Sequence, residues 1–277
     1  MRSCLYQALK QKLHRWLGEM MDTEFALFNT WVEQTLGIRL ADYKENQMQR
    51  RILTIMAHSG ANNLQEYQQL IVADPTVKAA FLSHITINVT EFYRNKVLFD
   101  AFERILTTQI LPANTSPKIW SAACSIGAEP YTIAMILAKK QVTTANVLAT
   151  DIDTVILNKA KQGIYRAHEL RNVPAEELER YFTPMEKNQF QIKPALKRQI
   201  LFKQHDLLKD RYERNVDVIV CRNVTIYFKS DARDTVYQKF SDALVPGGIL
   251  FTGATETINF AENFGLKKID SFIYQKI

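Results

Sequence analysis

One glycine and two carboxylates carry the first chemical information in this chain. The run Ser121-Ala-Ala-Cys-Ser-Ile-Gly127-Ala-Glu129-Pro-Tyr follows a short apolar stretch and opens a helical pattern, the position of a nucleotide-binding turn. It lacks the Gly-x-Gly-x-x-Gly spacing, and a pyrophosphate needs a glycine-rich turn whose amides can approach it. Glu129 stands where that phosphate would go. This argues against a nicotinamide dinucleotide and for a phosphate-free cofactor with positive charge nearby. Asp151 ends a second apolar stretch 24 residues beyond Gly127. A carboxylate at an offset of about 20 residues is the usual acceptor for ribose hydroxyls. Asp153 reads instead as a helix cap. A ribose acceptor, no phosphate site and an acid for a cationic tail together point to S-adenosylmethionine.

The elements that must position these residues follow from apolar periodicity. Residues 1–21 form an N-terminal extension with helical spacing. From Asp22 to residue 87 the pattern is helical throughout: Phe25, Phe28, Val32 and Leu36 make one face, Met48, Ile52, Ile55 and Met56 a second. Leu64, Tyr67, Leu70 and Ile71 make a third, and Val77, Phe81, His84 and Ile85 a fourth, with Gly37, Gly60 and Pro75 as stops. Residues 88–116 read as a linker with its own helix. Beyond Pro117, strands at Lys118–Ala122, Asn146–Thr150, Val216–Val220 and Ile249–Thr252 alternate with helices, which implies a parallel sheet with helices on both faces. Leu266–Asp270 and Phe272–Gln275 read as a closing pair. Tyr181–Gln204, with short alternating runs around Pro184 and Pro194, reads as a small antiparallel insertion.

Five segments then occur in register: Asn88-Val-Thr90-Glu-Phe-Tyr-Arg94, Trp120 to Tyr131, Ala149-Thr-Asp151-Ile-Asp, Cys221-Arg-Asn223-Val-Thr-Ile-Tyr227-Phe and Pro246-Gly-Gly. Together they resemble the CheR-type chemoreceptor glutamate O-methyltransferases, over roughly residues 22–277. The resemblance implies an α/β fold: a class I methyltransferase Rossmann-like sheet with helices on both faces, a small antiparallel insertion and an N-terminal all-helical domain. It implies that Asn88, Thr90 and Arg94 touch the cofactor, with Arg94 also near the reacting groups. Glu129 and Asp151 would hold the cofactor's polar ends. Asp206 and Leu207, often Asn-Leu in relatives, would lie on the adenine side, with Arg222 and Asn223 completing the site. Tyr227 resembles the active-site tyrosine, so Arg94 and Tyr227 are the expected catalytic pair. Two departures stand out: Thr225 where an apolar residue is usual, and Gly253-Ala-Thr-Glu256 where Gly-His-Ser-Glu is the family's habit.

The implied reaction suits what the chain lacks. A glutamate carboxylate, with a reference pKa of ~4.3, is already an ionised nucleophile at neutral pH, so methyl transfer from a sulfonium needs neither a general base nor a metal. The five histidines, His14, His58, His84, His168 and His205, form no base–orienter pair with any motif, and His205 reads as a satisfied loop residue. Cys4, Cys124 and Cys221 show neither metal-ligand nor disulfide spacing. A reducing, cytoplasmic setting is therefore expected, with no nucleic-acid partner and no integral membrane segment. The net charge of +6 is unevenly placed. By resemblance the partner is the acidic helical bundle of a chemoreceptor's cytoplasmic part, met by a basic face at Lys44, Arg50 and Arg51 or by the basic cluster between Lys187 and Lys203. Two other readings stand beside this one: a methyltransferase for a small molecule or RNA, and a non-catalytic module that senses the cofactor and regulates a partner.

Overall fold

A computed structural model describes residues 22–86 and 89–277. The N-terminal extension and Asn88 lie outside the described residues. The chain divides into two compact units, the first ending at Ile85 and the second beginning at Thr86.

The first unit is helical, as its periodicity requires. Helix α1 (22–36) ends before Gly37, whose φ of 75° takes the left-handed turn a stop needs. Helix α2 (Glu45–Ser59) ends at Gly60 in the same way, with φ 81°. Helix α3 (Leu64–Ala73) is capped by Asn63, whose side chain accepts from the Glu66 amide at 2.8 Å. Helix α4 (Pro75–Thr86) follows. Phe28, Tyr67 and Phe81, one ring from each of three helices, are fully buried with centroids 5.9–6.3 Å apart.

The second unit starts with α5 (Lys96–Ile105), which continues through a π-helical turn, Leu106–Ile110, into Leu111–Ala113. This segment, expected in a linker, belongs to the second unit's core: Phe99, Phe102, Ile105, Leu106 and Ile110 are all buried there. The main sheet comprises β1 (Lys118–Ala122), β2 (Asn146–Asp151), β6 (Ile200–Gln204), β7 (Val216–Cys221), β8 (Leu244–Thr252), β9 (Leu266–Asp270) and β10 (Ile273–Lys276), in the order β6-β2-β1-β7-β8-β10-β9. Strands β6, β2, β1, β7 and β8 are mutually parallel, and the closing pair runs antiparallel. Helices α6 (Ala128–Lys139), α7 (Thr154–Gln162) and α9 (Ser230–Ala243) supply crossovers. Central strands are buried on both faces, hence the unbroken apolar runs such as Val218–Cys221.

The small antiparallel sheet has the order β3-β5-β4, from Ile164–Arg166, Gln189–Ile192 and Phe182–Met185, with α8 (Ala175–Tyr181) between β3 and β4. It differs from the expected span of 181–204 at both ends. It begins earlier, at β3, and the run Gln199–Lys203 is not part of it: Ile200–Gln204 pairs parallel to β2 as the edge of the main sheet. An edge strand is covered on one side only, so Ile200 is buried and Leu201 is 67% exposed. That alternation resembles an antiparallel strand's.

Candidate active site

The strand order reverses at β1: the chain passes from β1 outward to β2 and β6, then returns to the other side of β1 with β7 and β8. The carboxyl ends of these five strands share one rim, and the crevice between β1 and β7 is the switch point where such sheets bind ligands.

On the β2 side the rim is built around Asp151. Its Oδ2 accepts from the Ser125 amide at 2.8 Å and its Oδ1 from the Asp153 amide at 3.0 Å. Each oxygen keeps a second lone pair for a ligand. Burial raises the Asp151 carboxyl from its ordinary value to about 6, against the pull of the Asp153, Ser125 and Ile152 amides. Asp153 caps α7, accepting from Val155 and Ile156. The loop after β1 holds Ala123, Ser125 and Gly127 at positive φ (63°, 50° and 87°). A Cβ at Gly127 would lie 3.0 Å from Ala160 Cβ, so both its backbone and its surroundings require glycine. Among the described residues, the buried Ser125 Oγ has no hydrogen-bond partner.

Across the crevice, Glu256 organises the loop after β7. Its Oε1 accepts from the Val224 and Thr225 amides and the Thr225 hydroxyl (2.8–2.9 Å) and from the Ile226 amide at 3.3 Å. Its Oε2 accepts from the Asn223 amide at 2.5 Å and the Gly253 amide at 2.7 Å. A Cβ at Gly253 would sit 2.5 Å from that oxygen, which explains why the glycine and the acid occur together. Thr225 also exchanges a 2.9 Å hydrogen bond with the Tyr237 hydroxyl, so its polar character has work in the interior. Asn223 is held at φ 62°, and its buried Oδ1 has no hydrogen-bond partner among the described residues. Tyr227, half-buried, closes the 3₁₀ turn Thr225–Tyr227 of the same loop.

Arg222 points inward. Its guanidinium carbon lies 5.0 Å from the Phe99 ring and 4.7 Å from the Phe251 ring, and its Nη2 donates to the Arg94 carbonyl (2.9 Å) and Asn95 Oδ1 (3.0 Å). Glu129 Oε2 is 4.0 Å from Arg222 Nη1, and Glu129 Oε1 accepts from the Ser121 hydroxyl at 2.8 Å. Burial raises the Glu129 carboxyl and lowers the Arg222 guanidinium; at 4.0 Å their attraction does not offset the loss of water. Arg94 is half-buried and donates from Nη1 to the Val89 carbonyl at 2.7 Å; Thr90 lies in the same half-buried loop.

Asp206 and Leu207 follow β6, beside Asp151: the His205 amide donates to the Asp151 carbonyl at 3.0 Å. Asp206 Oδ1 accepts from the Leu208 amide at 2.8 Å, and Leu207 is buried. His205 packs on Trp120 and Tyr212 with Nε2 3.2 Å from the Arg211 carbonyl, and burial lowers its pKa. The neutral ring is part of the core. Thus the rim gathers Arg94, Glu129, Asp151, Asp206, Leu207, Arg222 and Asn223 from loops far apart in sequence. Sequence reasoning did not single out Ser125, although it lies inside the Gly127 motif, and treated Glu256 only as the remnant of a motif.

Both expected docking faces are partly committed elsewhere. Lys44, the residue before α2, and Arg50 on it are exposed, but Arg51 is half-buried and donates to the His84 carbonyl within the helical unit. In the basic cluster, Lys193 Nζ donates to the Glu179 carbonyl of α8 at 2.9 Å, and Lys197 Nζ to the Gln162 carbonyl at the end of α7 at 2.7 Å. Cations at helix carboxyl ends stabilise those ends, which accounts for much of the cluster without a partner.

A mainly parallel sheet with a carboxylate-lined crevice at its switch point is the arrangement expected of an S-adenosylmethionine-dependent methyltransferase. Comparison with known proteins narrows this. Residues 23–86 match the all-alpha domain of CheR methyltransferases and residues 88–273 their SAM-binding domain. A chemotaxis protein methyltransferase from Listeria monocytogenes is 38% identical over 259 residues, 92% of this chain and 98% of its own length. One from Escherichia coli is 32% identical over 253 residues, 88% of this chain and 87% of its own. The chain belongs to the CheR methyltransferase family. Likeness to solved structures is partial: SAM-bound CalS10, an amino pentose methyltransferase from Micromonospora echinaspora, gives a TM-score of 0.35 at 14% identity over 57% of this chain and 48% of its own. Among the described residues no helix is long and apolar enough to cross a membrane.

Proposed function

We propose that this chain transfers the methyl group of S-adenosylmethionine to glutamate side-chain carboxylates of chemoreceptors in the cytoplasm, forming methyl esters and S-adenosylhomocysteine. The observation that carries the cofactor reading is Asp151: a buried carboxylate anchored by two amides, with lone pairs left for ribose hydroxyls. The buried, partnerless Ser125 Oγ and Asn223 Oδ1 on either side of the crevice fit a polar ligand that would satisfy both. Asp151 takes the ribose, Asp206 and Leu207 the adenine side, and Glu129 the cationic tail. Thr90, Arg94 and Asn223 line the remaining edge, with Asn88 assigned there by its motif alone. Arg222 acts on the cofactor through the Arg94–Asn95 backbone that it grips.

The bound cofactor supplies an electrophilic methyl on a positively charged leaving group. The chain's part is to place the acceptor in line and to exclude water. The acceptor carboxylate is ionised at neutral pH, so the reaction needs neither a general base nor a metal. Arg94 orients the acceptor: one of its terminal nitrogens is held by the Val89 carbonyl, which fixes the guanidinium without a full salt bridge to the nucleophile. Tyr227 contributes a hydroxyl near the donor. A docking contact through Lys44 and Arg50 meets the receptor's acidic bundle and chiefly raises the encounter rate.

Incubation with methyl-labelled cofactor and receptor cytoplasmic fragments tests this. The expected product is base-labile methyl ester on the receptor. Label only on RNA or small acceptors would contradict the receptor assignment, and cofactor binding without turnover on any acceptor would replace the enzyme by a sensor.

A further inference from the structure

The loops assigned to the cofactor hold several non-glycine residues in the left-handed region: Tyr93 (φ 50°), Asn95 (φ 59°), Ala123 (φ 63°) and Ser125 (φ 50°). Such conformations persist only where the surroundings over-determine them. For these loops the surroundings include the small inserted sheet. Every residue from Glu91 to Tyr93 is gripped by this sheet or by the segment that joins β3 to β4. Glu91 pairs with Arg171 Nε at 2.9 Å and Nη2 at 2.5 Å. Phe92 packs edge-on against Tyr165 (4.8 Å) and Phe182 (5.6 Å), and its carbonyl accepts from Asn172 Nδ2 at 3.3 Å. The Tyr93 hydroxyl donates to the buried Glu177.

Tyr165 connects this grip to the other loop. It is fully buried, its ring carries Phe92, and its hydroxyl donates to the Ile126 carbonyl at 2.7 Å, one residue before Gly127. A Cβ on Gly127 would come within 3.2 Å of that oxygen, so hydroxyl and glycine turn are fitted to each other. We infer that the insertion braces both cofactor loops and that Tyr165 is the positioning residue at which the brace meets them. The inference rests on the assignment of those loops to S-adenosylmethionine.

The test is Tyr165→Phe in the full chain, which keeps the ring and deletes only the hydroxyl. Calorimetric titration with S-adenosylmethionine should show roughly fivefold weaker binding, the size of one net hydrogen bond, with a raised KM for cofactor and kcat at saturation unchanged. Tyr274→Phe is the control: its hydroxyl accepts from the Ile258 amide at 2.9 Å, buried in the same unit but on neither loop. It should lower Tm comparably and leave affinity intact. Should Tyr165→Phe not fold, Asn172→Ala at the half-buried rim of the brace weakens affinity in the same direction. A wild-type chain that binds no S-adenosylmethionine would defeat the cofactor assignment and this inference together. Wild-type binding that is unchanged by loss of the Tyr165 hydroxyl, whatever happens to Tm, would overturn the brace alone.

Discussion

Two buried carboxylates stand at the same rim and do opposite things. Glu256 accepts from six donors of its own chain, all in the loops after β7 and β8. The Asp151 carboxylate accepts hydrogen bonds from two backbone amides, Ser125 and Asp153, and has capacity left. Both are almost fully buried, at 3% and 6% exposure, so burial alone does not distinguish them. The number of donors already supplied does. A saturated acid is scaffold, fixing the backbone on which Asn223 and Tyr227 ride. An acid with open lone pairs in a buried place is a binding group, because an unsatisfied buried polar atom is costly unless a ligand completes it.

The sharpest way to break this contrast is to remove each acid. Glu256→Ala leaves five amides and a hydroxyl without their acceptor, at a cost of at least about 3 kcal/mol. At roughly 2–4 °C per kcal/mol for a unit of this size, thermal denaturation should show a large drop in Tm, with activity lost alongside. Asp151→Asn should do the reverse: S-adenosylmethionine affinity falls by about 1.5–3 kcal/mol, the worth of a hydrogen bond to a charged group, while Tm falls far less, because relief of the buried charge offsets the one amide that loses its acceptor. A drop in Tm with intact affinity would make Asp151 scaffold too.

A pH series sharpens the same point. The Asp151 carboxyl is raised to about 6 by burial, so in the ligand-free protein it takes up a proton as pH falls through that value. Ribose hydroxyls donate more strongly to the ionised form, so the cofactor Kd should rise below pH 6, by up to about tenfold per unit. Binding near pH 6 should release protons, measurable as a buffer-dependent heat, and the dependence should vanish in Asp151→Asn. The stability contribution has the opposite sense: a carboxyl raised above its unfolded value destabilises the free protein at neutral pH, and that cost is relieved as pH falls. The smallest effect is expected for Tyr227→Phe, where kcat should fall about fivefold, one hydrogen bond's worth, with cofactor affinity unchanged. A loss of affinity instead would place Tyr227 with the binding groups.

The helices of the first unit, four of the five parallel strands and the place of the crevice were readable in the sequence because they follow from periodicity and from a glycine between an apolar run and a helix. What escaped the reading were properties that depend on distant partners. The run Ile200–Gln204 alternates because it lies at a sheet edge, which pattern alone does not separate from an antiparallel strand. Thr225 is a departure of little weight as a letter, yet its hydroxyl joins Tyr237 and Glu256 in the interior. Lys193 and Lys197 stand out as part of an acid-free cluster, but their ammonium groups serve helix ends 14 and 35 residues away. Arg222 follows β7 as a site residue should, and only the structure shows its guanidinium against Phe99 and Phe251, gripping the backbone at Arg94.

The central claim, that Asp151 receives the ribose of S-adenosylmethionine, is tested most directly by a two-by-two calorimetric cycle. Wild type and Asp151→Asn are each titrated with the cofactor and with its analogue lacking the ribose hydroxyls. The account predicts that either change alone weakens binding and that the second adds almost nothing to the first. Losses that simply add, as they do for groups that do not touch, would contradict it.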